Sequence, residues 1–275
     1  MMIATLILTR VCLNDSLQSI FDFRFIFLII ATTLTAAAGY IINDYYDQKL
    51  DSINKPTKVF VGFLISRRWA MFLHLLLNLI AVSLGFIISV KVGLLILVCA
   101  LLLWLYAISF KKQLLIGNIL VAGMSAFVIV ILKIFDQNTS TILVLVYAAF
   151  ALIISLLREI IKDIEDIKGD KIYNCKTLPI TFGIIKTKKV LIITTFLFIT
   201  FLSWIIYDIP SFFEFHLPAT LLYYRIYIIG VVIVPLIIII FMIKKARIKK
   251  DFSRLSLITK LIMLFGILSL FFFRY

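Results

Sequence analysis

Acidic residues are scarce in this chain: 14 Asp and Glu among 275 residues, against 28 Lys and Arg. Cysteine is scarcer. Cys12, Cys99 and Cys175 show no paired spacing, which excludes a disulfide scaffold. The two histidines, His74 and His216, lie on different segments, so no Cys/His spacing for zinc is present. Charge of either sign amounts to 15% of the chain, whereas 63% is hydrophobic and the mean hydropathy is +1.15. A water-soluble globule of that composition would leave too much hydrocarbon exposed, and a disordered chain would need the opposite balance. The chain is therefore read as an integral membrane protein. Its net charge of +14 would suggest nucleic acid in a soluble protein; here it serves as a topology signal, because short cytoplasmic loops collect Lys and Arg.

What the chain has in quantity is long apolar segments. A span needs roughly 20 mainly apolar residues, and eight segments qualify: 24–43, 69–90, 92–110, 114–135, 140–161, 188–207, 220–243 and 255–273. A ninth, Met2 to Leu13, would reach about 18 Å of a roughly 30 Å hydrocarbon core, so the expectation is a partial span or a true start upstream of Met1. It lacks the basic n-region and small-residue cleavage site of a signal peptide. The expectation is an all-α polytopic bundle of nine transmembrane helices around a central cavity. Twenty-one of the 28 bases fall in the four connections that follow the even-numbered segments of these nine. Those connections are then cytoplasmic, with the N-terminus inside and Arg274 and Tyr275 outside. The cytoplasmic stretches 44–66 and 162–187 hold about two dozen residues each, so chemistry falls to them and to the neighbouring helix ends.

The scarce acids are concentrated. Seven of the 14 lie in two short stretches, N-D-Y-Y-D-Q-K-L-D (Asn43 to Asp51) and K-D-I-E-D-I-K-G-D (Lys162 to Asp170), and an eighth, Glu159, stands just before the second. Asp44, Asp47 and Asp51 repeat the i, i+3, i+7 spacing of Asp163, Asp166 and Asp170. On a helix these offsets fall within a sector of about 60°. Both stretches close a span on the same side of the membrane, which reads as one domain of two similar halves, each with one Asp motif (44–51 and 163–170). Carboxylates stacked along one face repel unless a cation sits among them. Mg²⁺, which takes oxygen ligands and keeps room for water and substrate phosphates, is the natural occupant. Solvation of helix ends would explain one such cluster, but two of identical spacing at equivalent positions call for more. Bases accompany the acids: Lys55 and Lys58, Arg158 and Lys162, and Lys111 after Tyr106. Lys, Arg and Mg²⁺ are the groups that stabilise a departing diphosphate, although each lysine alone is equally an anchor of the positive-inside kind.

These motifs resemble the UbiA superfamily of intramembrane prenyltransferases. The family pattern N-D-x-x-D-x-x-x-D is matched by Asn43, Asp44, Asp47 and Asp51, and its second motif by Asp163, Asp166 and Asp170. The Y-S-x-x-x-K element is similar to Tyr106 to Lys111, with Ala107 in place of Ser. The N-R-P-x-R-P run reads N-K-P-T-K-V here, placing Lys55 and Lys58 where the family has arginines. Arg158 to Asp170 and Lys111 to Ala122 look most like the archaeal-type digeranylgeranylglyceryl phosphate synthases. The resemblance implies that the six aspartates hold Mg²⁺ on a polyprenyl diphosphate, with Asn43, Lys55, Lys58, Tyr106, Lys111, Arg158 and Lys162 binding that diphosphate. An allylic cation then forms in an apolar chamber and is captured by a lipophilic acceptor. That acceptor is the hydroxyl of a prenylated glyceryl phosphate, or a ring carbon in the aromatic branch of quinone biosynthesis. Tyr40 and Tyr106 are candidates to shield the cation or to sit in the interfacial belt. Glu159 shares the helical sector of Asp163; it is a candidate proton acceptor, or the partner of Arg158 or Lys162. A divalent-cation transporter is the reading from another class, but it would keep acids near the bilayer midplane, where this chain has almost none.

Overall fold

The structure is a computed structural model and describes residues 6, 7, 10, 21–54, 61–137, 140–212 and 218–273. The fold is all-α. The helices are α1 (Phe23–Asn54), α2 (Arg67–Ile88), α3 (Val90–Ile108), α4 (Ile116–Phe135), α5 (Thr141–Glu165), the short α6 (Ile167–Ile172) and α7 (Leu178–Phe182), α8 (Ile184–Phe212), α9 (Pro218–Tyr227), α10 (Val234–Lys245) and α11 (Lys249–Leu268). A π-helical turn, Ile228–Ile233, joins α9 to α10, and short 3₁₀ turns lie at Phe110–Lys112 and Ser269–Phe273. Among the described residues eight helical segments are long and apolar enough to cross a membrane. They coincide with the eight full-length segments read from the sequence. The ninth, Met2 to Leu13, lies almost wholly outside the described residues.

Spans begin and end where local chemistry directs. Ser66, Ser89 and Ser140 cap α2, α3 and α5 by accepting from the backbone N–H of Trp69, Val92 and Leu143. The Lys188 ammonium donates to the backbone carbonyls of Lys244 and Ala246, which α10 leaves unsatisfied at its C-terminus. α1 has 32 residues, about 48 Å against a hydrocarbon core of roughly 30 Å. Its last turns therefore project from the membrane, and they carry Asp44, Asp47 and Asp51.

Two apolar cores hold the bundle. Phe25, Leu28, Ala31, Ala81, Val92 and Ile96 join α1, α2 and α3 to Ile131 and Leu132 of α4. Ile154, Leu157, Ile161, Phe198, Leu236, Leu255 and Ile262 join α5, α8, α10 and α11. α4 touches both. At the C-terminal end of α4, Arg10 is 7% exposed, forms an ion pair of 2.5 Å with Asp136 and stacks on the rings of Phe25 and Phe135. The acidic motifs gather at the other end of α4, where Asn118 meets Asp163.

Candidate functional site

The first motif is one helical stripe, as its spacing predicts, because α1 runs without a break through Asp51. Asp47, the middle acid, is 8% exposed, while Asp44 and Asp51 are partly buried. The second motif is not one helix. α5 ends at Glu165, Asp166 is its C-cap with φ −99° and ψ 7°, and Asp170 sits on α6, at 9% exposure. Identical spacing therefore gives different environments: the deepest acid is the second of the first motif and the third of the second. The break turns the chain, and Gly169 then fits against α1.

A turn between α3 and α4 reaches both motifs. Lys111 leaves the 3₁₀ turn and donates to Asp47 Oδ1 at 2.5 Å and to Asn43 Oδ1 at 3.4 Å. Seven residues on, Asn118 Nδ2 donates to Asp163 Oδ2 at 2.9 Å. Leu115, in the left-handed region at φ 60°, reverses the chain between them. Gly117 lets it close, since a Cβ there would lie 2.8 Å from Lys111 Cα and 3.0 Å from the Phe110 carbonyl oxygen. Both neighbours are backbone. With the prenyl diphosphate that the motif resemblance implies as substrate, Gly117→Ala is expected to displace Lys111 and lower kcat/KM by about 10- to 100-fold; wild-type kinetics in that variant would show that the turn does not position Lys111.

The carboxylates of Glu159, Asp47, Asp163 and Asp170 all lie within Coulombic range of the Tyr106 hydroxyl, so Tyr106 stands where the two motifs meet. Glu159 accepts from Arg158 and from Lys162, each at 3.0 Å. Of its two roles read from the sequence, the structure shows the ion-paired one. Tyr40 is 75% exposed on the side of α1. Lys55 and Lys58 lie outside the described residues. Arg67, at the start of α2, places its guanidinium 4.5 Å from the Tyr45 ring centroid, between the first two aspartates in sequence. Burial and the neighbouring Asp170 push the Cys175 thiol up to about 11.

Spacing on one helix did not reveal Asn118, Asn54 or Lys249. Asn54, which closes α1, accepts the Gly169 N–H at 3.0 Å; Lys249 opens α11 and donates to the Asn54 carbonyl at 2.8 Å, with Asp166 Oδ1 at 3.7 Å. A polar Asn at the mouth of an apolar span was the available signal for Asn118.

Among the described residues no three acidic, His or Cys side chains converge closely enough to enclose an ion by themselves. That arrangement still fits Mg²⁺, which is commonly held by one or two carboxylates and completed by water and substrate phosphates. Hard oxygen donors from both motifs, with Lys111, Arg158 and Lys162 alongside, form such a donor set. Thiolate and imidazole ligands play no part in it.

Comparison with known proteins agrees with this geometry. A family model described as the UbiA prenyltransferase family matches residues 4–271. Digeranylgeranylglyceryl phosphate synthase of Methanosphaera stadtmanae is 34% identical over 177 residues, 64% of this chain and 63% of that protein. The enzyme of the same name from Sulfurisphaera tokodaii is 32% identical over 227 residues, covering 79% of this chain and 74% of that one. A solved digeranylgeranylglyceryl phosphate synthase structure superposes with a TM-score of 0.69 at 22% identity, over 98% of this chain and 91% of that chain. A UbiA homologue from Archaeoglobus fulgidus, solved with GPP and Mg²⁺, has a TM-score of 0.64 at 16% identity, over 98% and 95% of the two chains.

Proposed function

The chain belongs to the UbiA prenyltransferase family, and from that membership we propose that it transfers a polyprenyl group, of geranylgeranyl type, from its diphosphate to the free hydroxyl of a prenylated glyceryl phosphate, forming an ether lipid. One observation carries the reading: two aspartate motifs separated by four spans in sequence meet at one end of the bundle, bridged by Lys111 on one side and Asn118 on the other. The names of the matched relatives support the glyceryl phosphate acceptor. So does the surplus of bases, since an acceptor with its own phosphate needs more cationic side chains than a neutral ring.

In this reading Asp44, Asp47, Asp51, Asp163, Asp166 and Asp170 supply the ligands of Mg²⁺, which the A. fulgidus homologue also binds. The ion, when bound, offsets charge on the diphosphate as its bond to carbon breaks. Lys111, Arg158 and Lys162, joined by Lys55 and Lys58, hold the same leaving group; Asn43 and Tyr106 orient it. The C–O bond electrons go to the diphosphate, and the acceptor hydroxyl oxygen bonds to the allylic carbon. Its proton passes to the leaving group, because Glu159 is already committed to Arg158 and Lys162. The bases clustered at the motif end support a cytoplasmic orientation of that end, in a cell membrane, and the repeated aspartate spacing supports a reading of two similar halves in a single domain.

The test supplies purified protein in a bilayer with labelled geranylgeranyl diphosphate, Mg²⁺ and either geranylgeranylglyceryl phosphate or 4-hydroxybenzoate. Ether product with the first acceptor is expected. Product with 4-hydroxybenzoate alone would move the enzyme to the aromatic branch, and product with neither would overturn the acceptor class.

A further inference from the structure

Asn54 is 7% exposed, deep for an amide at the last residue of a helix that has already left the membrane. It stands three residues after Asp51, and its partner Gly169 is next to Asp170. The bond from the Gly169 N–H to Asn54 Oδ1, 3.0 Å and buried, thus joins the far ends of the two acidic motifs. No space separates them: a Cβ on residue 169 would lie 2.5 Å from Asn54 Nδ2. Lys249 closes the corner from a third element, donating to the Asn54 carbonyl at 2.8 Å while pairing with Asp166 at 3.7 Å. Two contacts between parts of the chain far apart in sequence therefore meet on one asparagine, and Lys249 ties a third element, through Asp166, to the same corner. A carboxylate pair can share a diphosphate-bound ion only at a fixed separation, and groups that set such separations govern metal affinity without touching the metal.

We propose that Asn54 is a positioning residue that fixes the distance between the two aspartate motifs, with Lys249 holding it in place. The proposal rests on the reading that both motifs serve one Mg²⁺–diphosphate site. Its consequence is a loss of metal affinity in a protein that stays folded, which a merely structural contact would not produce.

The experiment uses the full chain in bilayer nanodiscs, Mn²⁺ as a spectroscopic stand-in for Mg²⁺, and an unreactive geranylgeranyl diphosphate analogue. Mn²⁺ affinity is read by electron paramagnetic resonance and folding by thermal unfolding. Asn54→Ala is expected to weaken Mn²⁺ binding by about 10- to 100-fold, with Lys249→Met, at a more exposed position that tolerates change, weakening it several-fold. Gly169→Ala, which pushes the amide aside, should lose as much as Asn54→Ala, and the double variant should lose no more than either, because all three remove one interaction. Wild-type affinity in Asn54→Ala and Lys249→Met, or additive losses in the double variant, would overturn the proposal. Asp163→Asn serves as the control for the underlying reading: wild-type Mn²⁺ affinity in that variant removes the shared site and this inference with it, whereas loss there alone overturns only the role of Asn54.

Discussion

Asp163→Ala is expected to lower kcat for prenyl transfer by about 10³-fold at saturating Mg²⁺ while the protein remains folded. Asp163 is only partly buried at the end of α5, and its one assigned bond is from Asn118 Nδ2 at 2.9 Å. Alanine leaves that amide without its partner, at a cost of about 1–3 kcal/mol. It also removes one carboxylate from the company of Asp170 and Glu159, which offsets part of the loss. Stability should move little. Turnover should not survive, because in the proposed mechanism Asp163 is a metal ligand of the second motif, oriented by Asn118. Single-turnover kinetics with labelled prenyl diphosphate and a thermal unfolding curve decide the matter. A rate within tenfold of wild type would remove the second motif from the metal site.

Lys111→Met should lose stability as well as turnover. The Lys111–Asp47 pair is 2.5 Å long and each side chain is 12% exposed. Removing the ammonium strands a buried carboxylate, which costs about 3–5 kcal/mol. In a chain of this size that corresponds to a fall in unfolding temperature on the order of 10 °C. Lys111→Arg keeps the charge but spreads it over a planar fork, so it should recover most of the stability and only part of the rate. An unchanged unfolding temperature in Lys111→Met would show that Asp47 finds another cation, and the bridging role of the α3–α4 turn would fall.

The spans were legible because hydrocarbon demands long apolar runs, and nothing else in a chain produces eight of them. The first aspartate motif was legible for a related reason: i, i+3, i+7 positions share a face on any unbroken helix. The second reads identically in sequence but breaks at Asp166, where the chain must turn for Gly169 to approach Asn54. Periodicity cannot announce a break that tertiary contact imposes. Lys111 was ambiguous between an anchor and a ligand until its partner, Asp47, appeared 64 residues away. Asn118, Lys249 and the Arg10–Asp136 pair were missed on the same ground. Each is one polar residue whose meaning lies in a neighbour that the local pattern does not name. Leu115 adds a case of its own, a left-handed residue with a side chain, where the usual glycine signal falls two positions later at Gly117.

The join between Asn54 and Gly169 bears on the order in which the molecule comes into being. Every span is apolar enough to enter the bilayer alone, so insertion needs none of the contacts at the motif end, and lateral association of the helices follows as a second stage. Asp51 lies on α1, which belongs to one apolar core, and Asp170 follows α5, which belongs to the other. The corner between them can close only after those groups of helices have found each other in the plane of the membrane. Any ligand that spans both motifs then binds the associated bundle and not its separated parts, and by mass action it holds the two groups together.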